Sequence, residues 1–246
     1  MNTPHRQFHN PRQNQLLAAL SASDRERLAP DLELVHLQRG QVLCDAGATP
    51  THVYFPITAI VSLLHISLSG ATSEIAVVGN EGVVGMSLFS AGGVEMEQAR
   101  VQTTGASYRL GARVAKEETS RSGQILAALL KYAQALMAQM AQTAIYTKHH
   151  SLEQQLCRRL LMGLDRLTCD EMEMTHEVLG DLLGVRRESV TNIALKLQQA
   201  GVIRYSRGHL AVLDRQRLEQ HASGGSPQVH INLRASHAAP VMQCAA

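Results

Sequence analysis

The chain of 246 residues has no tryptophan, and phenylalanine and tyrosine together make up only 3% of it. Its cores must therefore be packed from Leu, Val, Ile, Ala and Met, which a 45% hydrophobic content supplies. Cysteine is equally sparse. Cys44, Cys157, Cys169 and Cys244 lie far apart with no Cys-x-x-Cys, which argues against a zinc knuckle, an iron–sulfur cluster or a redox pair. Neither sign of charge prevails: a formal net charge of +2 is too small to support nucleic-acid binding by itself, so the position of each charge must carry any such case. The opening MNTPHRQFHNPRQN lacks the apolar core of a secretory signal. No later run reaches the roughly twenty apolar residues of a membrane span. The expectation is a cytoplasmic protein with no membrane partner, long enough for one large domain and one small one.

What is present changes texture along the chain. Residues 13–28 look helical, with Leu16, Leu17 and Leu20 on one side and a second short turn opened by Ser23 and Asp24. After Pro30 come β-rich runs at 32–37, 53–55, 60–67, 74–78 and 99–110, punctuated by glycine. Regular short strands of this kind predict an antiparallel barrel or jelly roll. Residues 124–146 then read as one unbroken helix of roughly 34 Å at 1.5 Å per residue. Its seam is Leu126, Leu130, Ala133, Met137, Met140 and Ala144, widened by Leu129 and Leu136. That stripe can be buried against its own barrel or against the same helix of a second copy. His149 and His150 are adjacent on a helix and diverge by about 100°, so they make no metal pair. A further helix over 151–167 has Leu152, Leu156, Leu160, Leu161 and Leu164 inward, and TCDEMEM follows as a short acidic link.

The most informative stretch begins at Thr175. This residue can cap a helix with Val178, Leu179, Leu182 and Leu183 inward, and Gly184 supplies a tight turn. In the second helix Val185, Val190, Ile193, Ala194 and Leu197 face inward, while Arg187, Glu188, Ser189, Thr191 and Asn192 face out. These five are suited to base edges in a major groove: Arg donates twice to guanine, Glu accepts from cytosine, Asn pairs with adenine. VIRYSRGHLAVL then reads as a hairpin turning at Arg207 and Gly208. Thr175, His176, Arg186, Lys196, Arg204, Arg207 and His209 are the candidate phosphate contacts. Arg186 sits where Ser, Thr or Asp would cap the second helix better. Helix, turn, helix and wing occur in order, a combination far more specific than any one part.

These residues resemble the Crp/Fnr superfamily of bacterial regulators, the group of the catabolite activator protein. The resemblance covers about residues 16–218 and rests on HVYFPITAIVSLLHISLSGATSEIAVVGNEGVVG, the long helix, and THEVLGDLLGVRRESVTNIALKLQQAGVIRYSRGHLAVLD. It implies an α+β chain: an N-terminal cyclic-nucleotide-binding-like antiparallel β-barrel (jelly roll) over 13–122, a dimerisation helix over 123–147, and a winged helix-turn-helix over 148–222. The tail 223–246, rich in small and polar residues, reads as disordered. The implied function is a transcription regulator, not an enzyme. Its expected partners are double-stranded DNA, a second copy of the chain and, as a further candidate, RNA polymerase. The family's Arg-Glu reading pair falls on Arg187 and Glu188, but Asn192 stands where another basic reader is usual and favours adenine. The ligand signature also departs. Met86 and Ser87 stand in the Gly-Glu region, and Gln98 and Ala99 replace the Arg-Ser that holds a cyclic phosphate. Cyclic AMP is thereby disfavoured, leaving a different small effector or none, with no cofactor or metal expected. Axial haem ligation in the family uses histidine, and His36, His52 and His65 have only the residue type in their favour.

Two rival functions make different demands. An enzyme on a cupin-like barrel needs a closely spaced His-x-His with a carboxylate, which the β region lacks. A protein-binding adaptor on the same fold would have no use for Arg187 and Glu188 on an outward face.

Overall fold

The computed structural model describes residues 9–67, 70–90, 92–167, 171–206 and 208–223. The chain opens with two short helices, α1 (Gln15–Ala19) and α2 (Ala22–Leu28). Asn14 anchors α1. Its side-chain oxygen accepts the N–H groups of Leu16 and Leu17, while its amide donates to the carbonyls of Pro56 (2.9 Å) and Gly82 (2.8 Å). Ser21, rather than the Ser23–Asp24 pair, opens α2 by accepting the Asp24 N–H.

Seven strands follow: β1 (Glu33–Leu37), β2 (Val42–Cys44), β3 (His52–Pro56), β4 (Ile60–Ile66), β5 (Thr72–Val78), β6 (Gln98–Thr103) and β7 (Gly105–Gly111). They form two antiparallel sheets of order β1-β7-β3 and β2-β6-β4-β5. Val53, Phe55, Tyr108 and Leu110 of one sheet share a single core with Val61, Val78, Ala99 and Val101 of the other, the jelly-roll arrangement expected. The run 99–110 is not one strand, because β6 and β7 lie in different sheets. Gly105 makes the crossing possible. A Cβ there would fall 2.4 Å from the Ala59 nitrogen, so the backbones meet where any side chain would keep them apart.

Helix α3 (Ala112–Arg121) was not legible in the sequence, since only Ala115 and Glu118 of it are buried and no apolar stripe marks it. Ser122 then caps α4 (Gly123–His149), 27 residues and about 40 Å long. Ile125, Leu129 and Tyr132 of α4 join the β-domain core, and Gln139 donates to the Val77 carbonyl at 3.2 Å. A second apolar stripe remains uncovered, with Leu126 42%, Leu130 62%, Met137 62% and Ile145 55% exposed. The helix thus carries two adjoining apolar faces, which its three- and four-residue spacing merges into one. Leu129, read as a margin of the open seam, belongs to the covered face.

The C-terminal unit consists of α5 (Leu152–Leu164), β8 (Glu171–Glu173), α6 (His176–Leu183), α7 (Arg187–Gln199), β9 (Ile203–Ser206), β10 (His209–Val212) and α8 (Arg215–Ser223). Its sheet has the order β8-β10-β9, so part of the acidic link is a third strand whose Met172 is buried. Leu218 and Ala222 seat α8 in the same core as Leu156, Leu160 and Leu164 of α5. Two buried ion pairs join this unit to the β domain: Arg159 of α5 with Glu74 of β5, and Arg166 with Glu81. Arg207 and residues 224–246, with the expectation of a disordered tail, lie outside the described residues. Among the described residues no helix is long and apolar enough to cross a membrane.

Candidate nucleic-acid interface

Local chemistry sets the two helices of the motif at a fixed angle. The Thr175 hydroxyl accepts the Val178 N–H at 3.2 Å, capping α6. Gly184 takes a left-handed conformation (φ 66°), ending α6 and starting the turn. Gly180 lets the turn close: a Cβ there would sit 2.8 Å from the Val185 carbonyl oxygen, and the Val185 N–H returns to the Gly180 carbonyl at 2.9 Å. Val190, Ile193, Ala194 and Leu197 then bury the inner face of α7 against Leu179, Leu182 and Leu210.

What α7 leaves outside is polar. Arg187, Glu188 and Asn192 are exposed on one side of its first two turns, and Arg186 is exposed just before it. The side chain of Arg186 caps nothing, and the Ser189 N–H returns to the Arg186 carbonyl at 3.1 Å, so no side chain occupies the start of α7. Ser189 and Thr191 are half-buried, and the Thr191 hydroxyl donates back to the Arg187 carbonyl at 3.0 Å. Lys196 is exposed near the other end of the helix. In the wing, β9 and β10 pair in the register Ser206↔His209 to Ile203↔Val212, with Arg204 and His209 exposed. Arg204 lies 3.4 Å from Glu171 in an open ion pair that water weakens.

His176 is placed differently from a surface cation. Its ring stacks on Tyr205 at 4.1 Å, Nδ1 lies 3.0 Å from the Thr191 hydroxyl, and Nε2 is buried without a partner. Burial, with the nearby Arg187 charge, holds its pKa below 6.5. Sequence reasoning missed Tyr205, whose hydroxyl donates to the Met174 carbonyl at 3.0 Å, and Gln198, which accepts the Tyr205 N–H at 3.3 Å. Both are tertiary contacts between a helix or its lead-in and a strand, invisible to periodicity.

In the β domain, a cavity of about 230 Å³ opens between the loop after β5 and α4. Leu63, Val83, Val84, Met86, Leu136 and Met140 line it together with Ser87, Ser90, Glu95 and Glu97, and among the described residues no Lys or Arg does. Burial raises the Glu95 carboxyl above its ordinary range. Arg100, two residues from the expected cation position, is not in the wall; it donates to the Gln98 side chain, which in turn donates to Asp45. His36 and His65 are exposed and His52 meets the Thr51 hydroxyl, so the three do not converge. Among the described residues no three His, Cys, Asp or Glu are grouped to hold a metal ion. The Cys157 thiol is buried and pushed up to about 12, far from a reactive thiolate.

Residues 154–221 match the family model described as a Crp-like helix-turn-helix domain, and the described residues have the fold of Crp/Fnr transcriptional regulators. Among solved structures it is similar to FixK2 from Bradyrhizobium japonicum, with TM-score 0.68 and 15% identity over 80% of this chain and 99% of that one. A Crp/Fnr-family transcriptional regulator from Eubacterium rectale aligns with TM-score 0.66 and 16% identity over 86% and 99% of the two chains. A CRP/FNR-family regulator from Thermus thermophilus gives 0.64 and 20% over 79% and 100%. A comparison with curated protein sequences gives no match.

Proposed function

We propose that this protein is a sequence-specific DNA-binding transcription regulator that acts as a cytoplasmic homodimer on a palindromic operator. The observation that carries the reading is the outer face of α7: Arg187, Glu188 and Asn192 stand exposed over a closed apolar core in a Crp-like helix-turn-helix. These side chains supply donors and acceptors for base edges, while Arg186, Lys196, Arg204, His209 and the uncapped start of α7 supply phosphate contacts. The open stripe of Leu126, Leu130 and Met137, with Ala133, Met140 and Ala144 alongside, is the surface on which two copies would join. Dimerisation would set two α7 helices about 34–36 Å apart on one face of a duplex. RNA polymerase is the natural further partner of a regulator so placed.

The β-domain cavity suggests what the effector is not. A buried cyclic phosphate needs a guanidinium, and walls that offer only apolar groups, hydroxyls and two carboxyls repel an anion. An effector, where one acts, is a neutral or cationic apolar molecule.

The test is selection of bound duplexes from a random pool, then measurement of affinity on the selected operator. Arg187→Ala should cost about 1–3 kcal/mol on that site and relax one base position. Arg204→Ala should weaken all sequences alike and lower the salt slope by about one. If no duplex is enriched, or both variants bind like wild type, the assignment fails.

A further inference from the structure

We propose that His176 is a positioning residue for base reading, acting through the start of α7 and the wing, and that it makes no contact with phosphate. The inference rests on the DNA-binding reading above and concerns how that face is held. Three elements meet at this ring. It belongs to the first turn of α6, stacks on Tyr205 of β9 and lies 3.0 Å from the Thr191 hydroxyl of α7. Thr191 in turn donates its one hydroxyl proton to the carbonyl of Arg187, the leading base reader. With that proton committed, the imidazole is the donor, so His176 carries its proton on Nδ1. The remaining nitrogen, Nε2, is sealed from solvent and unpaired. A proton there would be a buried, unsatisfied donor beside the Arg187 cation, so the ring is neutral and has nothing to offer a phosphate.

The wing is tied in from its own side. Tyr205 donates its hydroxyl to the Met174 carbonyl just before α6, and its N–H reaches Gln198 near the end of α7. A chain of contacts therefore runs from the wing strand through Tyr205, His176 and Thr191 to the backbone of Arg187. Loosening it lets the first turn of α7 shift relative to the groove. Such a shift degrades bidentate base contacts, which tolerate little misalignment, far more than it weakens phosphate contacts, which carry no sequence information and are spread over Lys196, Arg204 and His209 as well.

The experiment measures binding to the selected operator and to unrelated duplex, each as a function of salt, with far-UV circular dichroism and thermal melting to establish folding. His176→Phe keeps a ring against Tyr205 and removes the Nδ1–H. It is expected to lose about three- to tenfold on the operator, the worth of one neutral hydrogen bond, with unrelated DNA and the salt slope unchanged. His176→Asn places an amide N–H near the Nδ1 position and should recover most of that loss. A fall on all DNA with the salt slope reduced by about one, and no recovery with Asn, makes His176 a phosphate contact and overturns the proposal. Operator affinity unchanged in folded His176→Phe overturns it as well, leaving the DNA-binding reading intact. Failure of the wild type to bind any duplex sinks both.

Discussion

The pair formed by Glu74 and Arg159 tests how the reading unit is held on the β domain, because both side chains are only 5% exposed. Glu74 accepts from Arg159 Nη2 at 2.9 Å and from the Ser62 hydroxyl at 2.5 Å, and Arg159 also donates to Gln102. Desolvation outweighs attraction here: burial pushes the Glu74 carboxyl up and the Arg159 guanidinium down from their ordinary values. The pair therefore adds little net stability, yet removing one partner strands the other. The two single variants differ in a way that can be worked out. In Arg159→Met the stranded carboxyl can take up a proton. Starting from an ordinary value of 4.5, that costs at most about 3.4 kcal/mol at pH 7, at 1.36 kcal/mol per pH unit, and almost nothing at pH 4.5. In Glu74→Gln the guanidinium has no such escape and keeps its charge, so about 3–5 kcal/mol is lost at any pH in this range.

The sign follows from linkage. A carboxyl whose folded value is raised favours the folded state fully below its unfolded value, and that contribution is lost as pH rises through the folded value. Arg159→Met should thus be nearly as stable as wild type at pH 4.5 and should fall behind as pH rises to 7. Glu74→Gln should stay behind throughout, and Glu74→Leu with Arg159→Met should return close to wild type. Urea titrations followed by far-UV circular dichroism measure this, since the chain has no tryptophan to report by fluorescence. A pH-independent cost for Arg159→Met, or a cost below about 1 kcal/mol for Glu74→Gln, would mean that water reaches the pair and would refute the reasoning.

Two further outcomes bear on assembly and on the turn. Leu130→Glu, at a side chain 62% exposed, should leave the circular dichroism and melting of the folded chain intact while turning a dimer into monomer by sedimentation velocity, with operator affinity lost. An unchanged dimer would place the seam elsewhere. Gly180→Ala should cost about 1–3 kcal/mol in thermal unfolding, as overpacking does, because the added Cβ meets a backbone oxygen at 2.8 Å that only a shift of the α6–α7 turn can relieve. Wild-type stability and operator affinity in that variant would show that the turn has slack.

The parts of this molecule that were legible in the sequence are those whose cause is local. Thr175 as cap, Gly184 as turn and the inward set Val190, Ile193, Ala194 and Leu197 can be read from a dozen neighbours, and each takes its expected place. The strands of the β domain fall on β-rich runs set off by glycine, except the three residues of β2, which no run marked. What failed to show was decided at a distance. The three residues of β8 count as a strand only because β10 lies beside them, and α3 owes its burial to Ala115 and Glu118 rather than to a stripe. The run 99–110 divides because Gly105 fits against Ala59, a contact no window of sequence contains. The same limit explains His176. Its charge type suggested a phosphate, while its packing on Tyr205 and its approach to Thr191 come from residues far along the chain.

The long helix connects these observations to regulation. Met140 and Leu136 of α4 form part of the wall of the β-domain cavity, and Met140 also borders the stripe on which a second copy would pack. Methionine is flexible enough to serve both surfaces, but one side chain cannot take the best position for each independently. If the seam forms as proposed, a molecule entering the cavity and a partner helix compete for the same rotamers, so each must alter the affinity of the other by an equal factor. From α4 the path to the helix-turn-helix is short, because the ion pairs of Arg159 with Glu74 of β5 and of Arg166 with Glu81, two residues before Val83 of the cavity wall, tie the C-terminal unit to the β domain. A ligand that binds both arrangements equally would change nothing, however tightly it bound. The effector to look for is therefore one whose affinity depends on protein concentration across the dimerisation range.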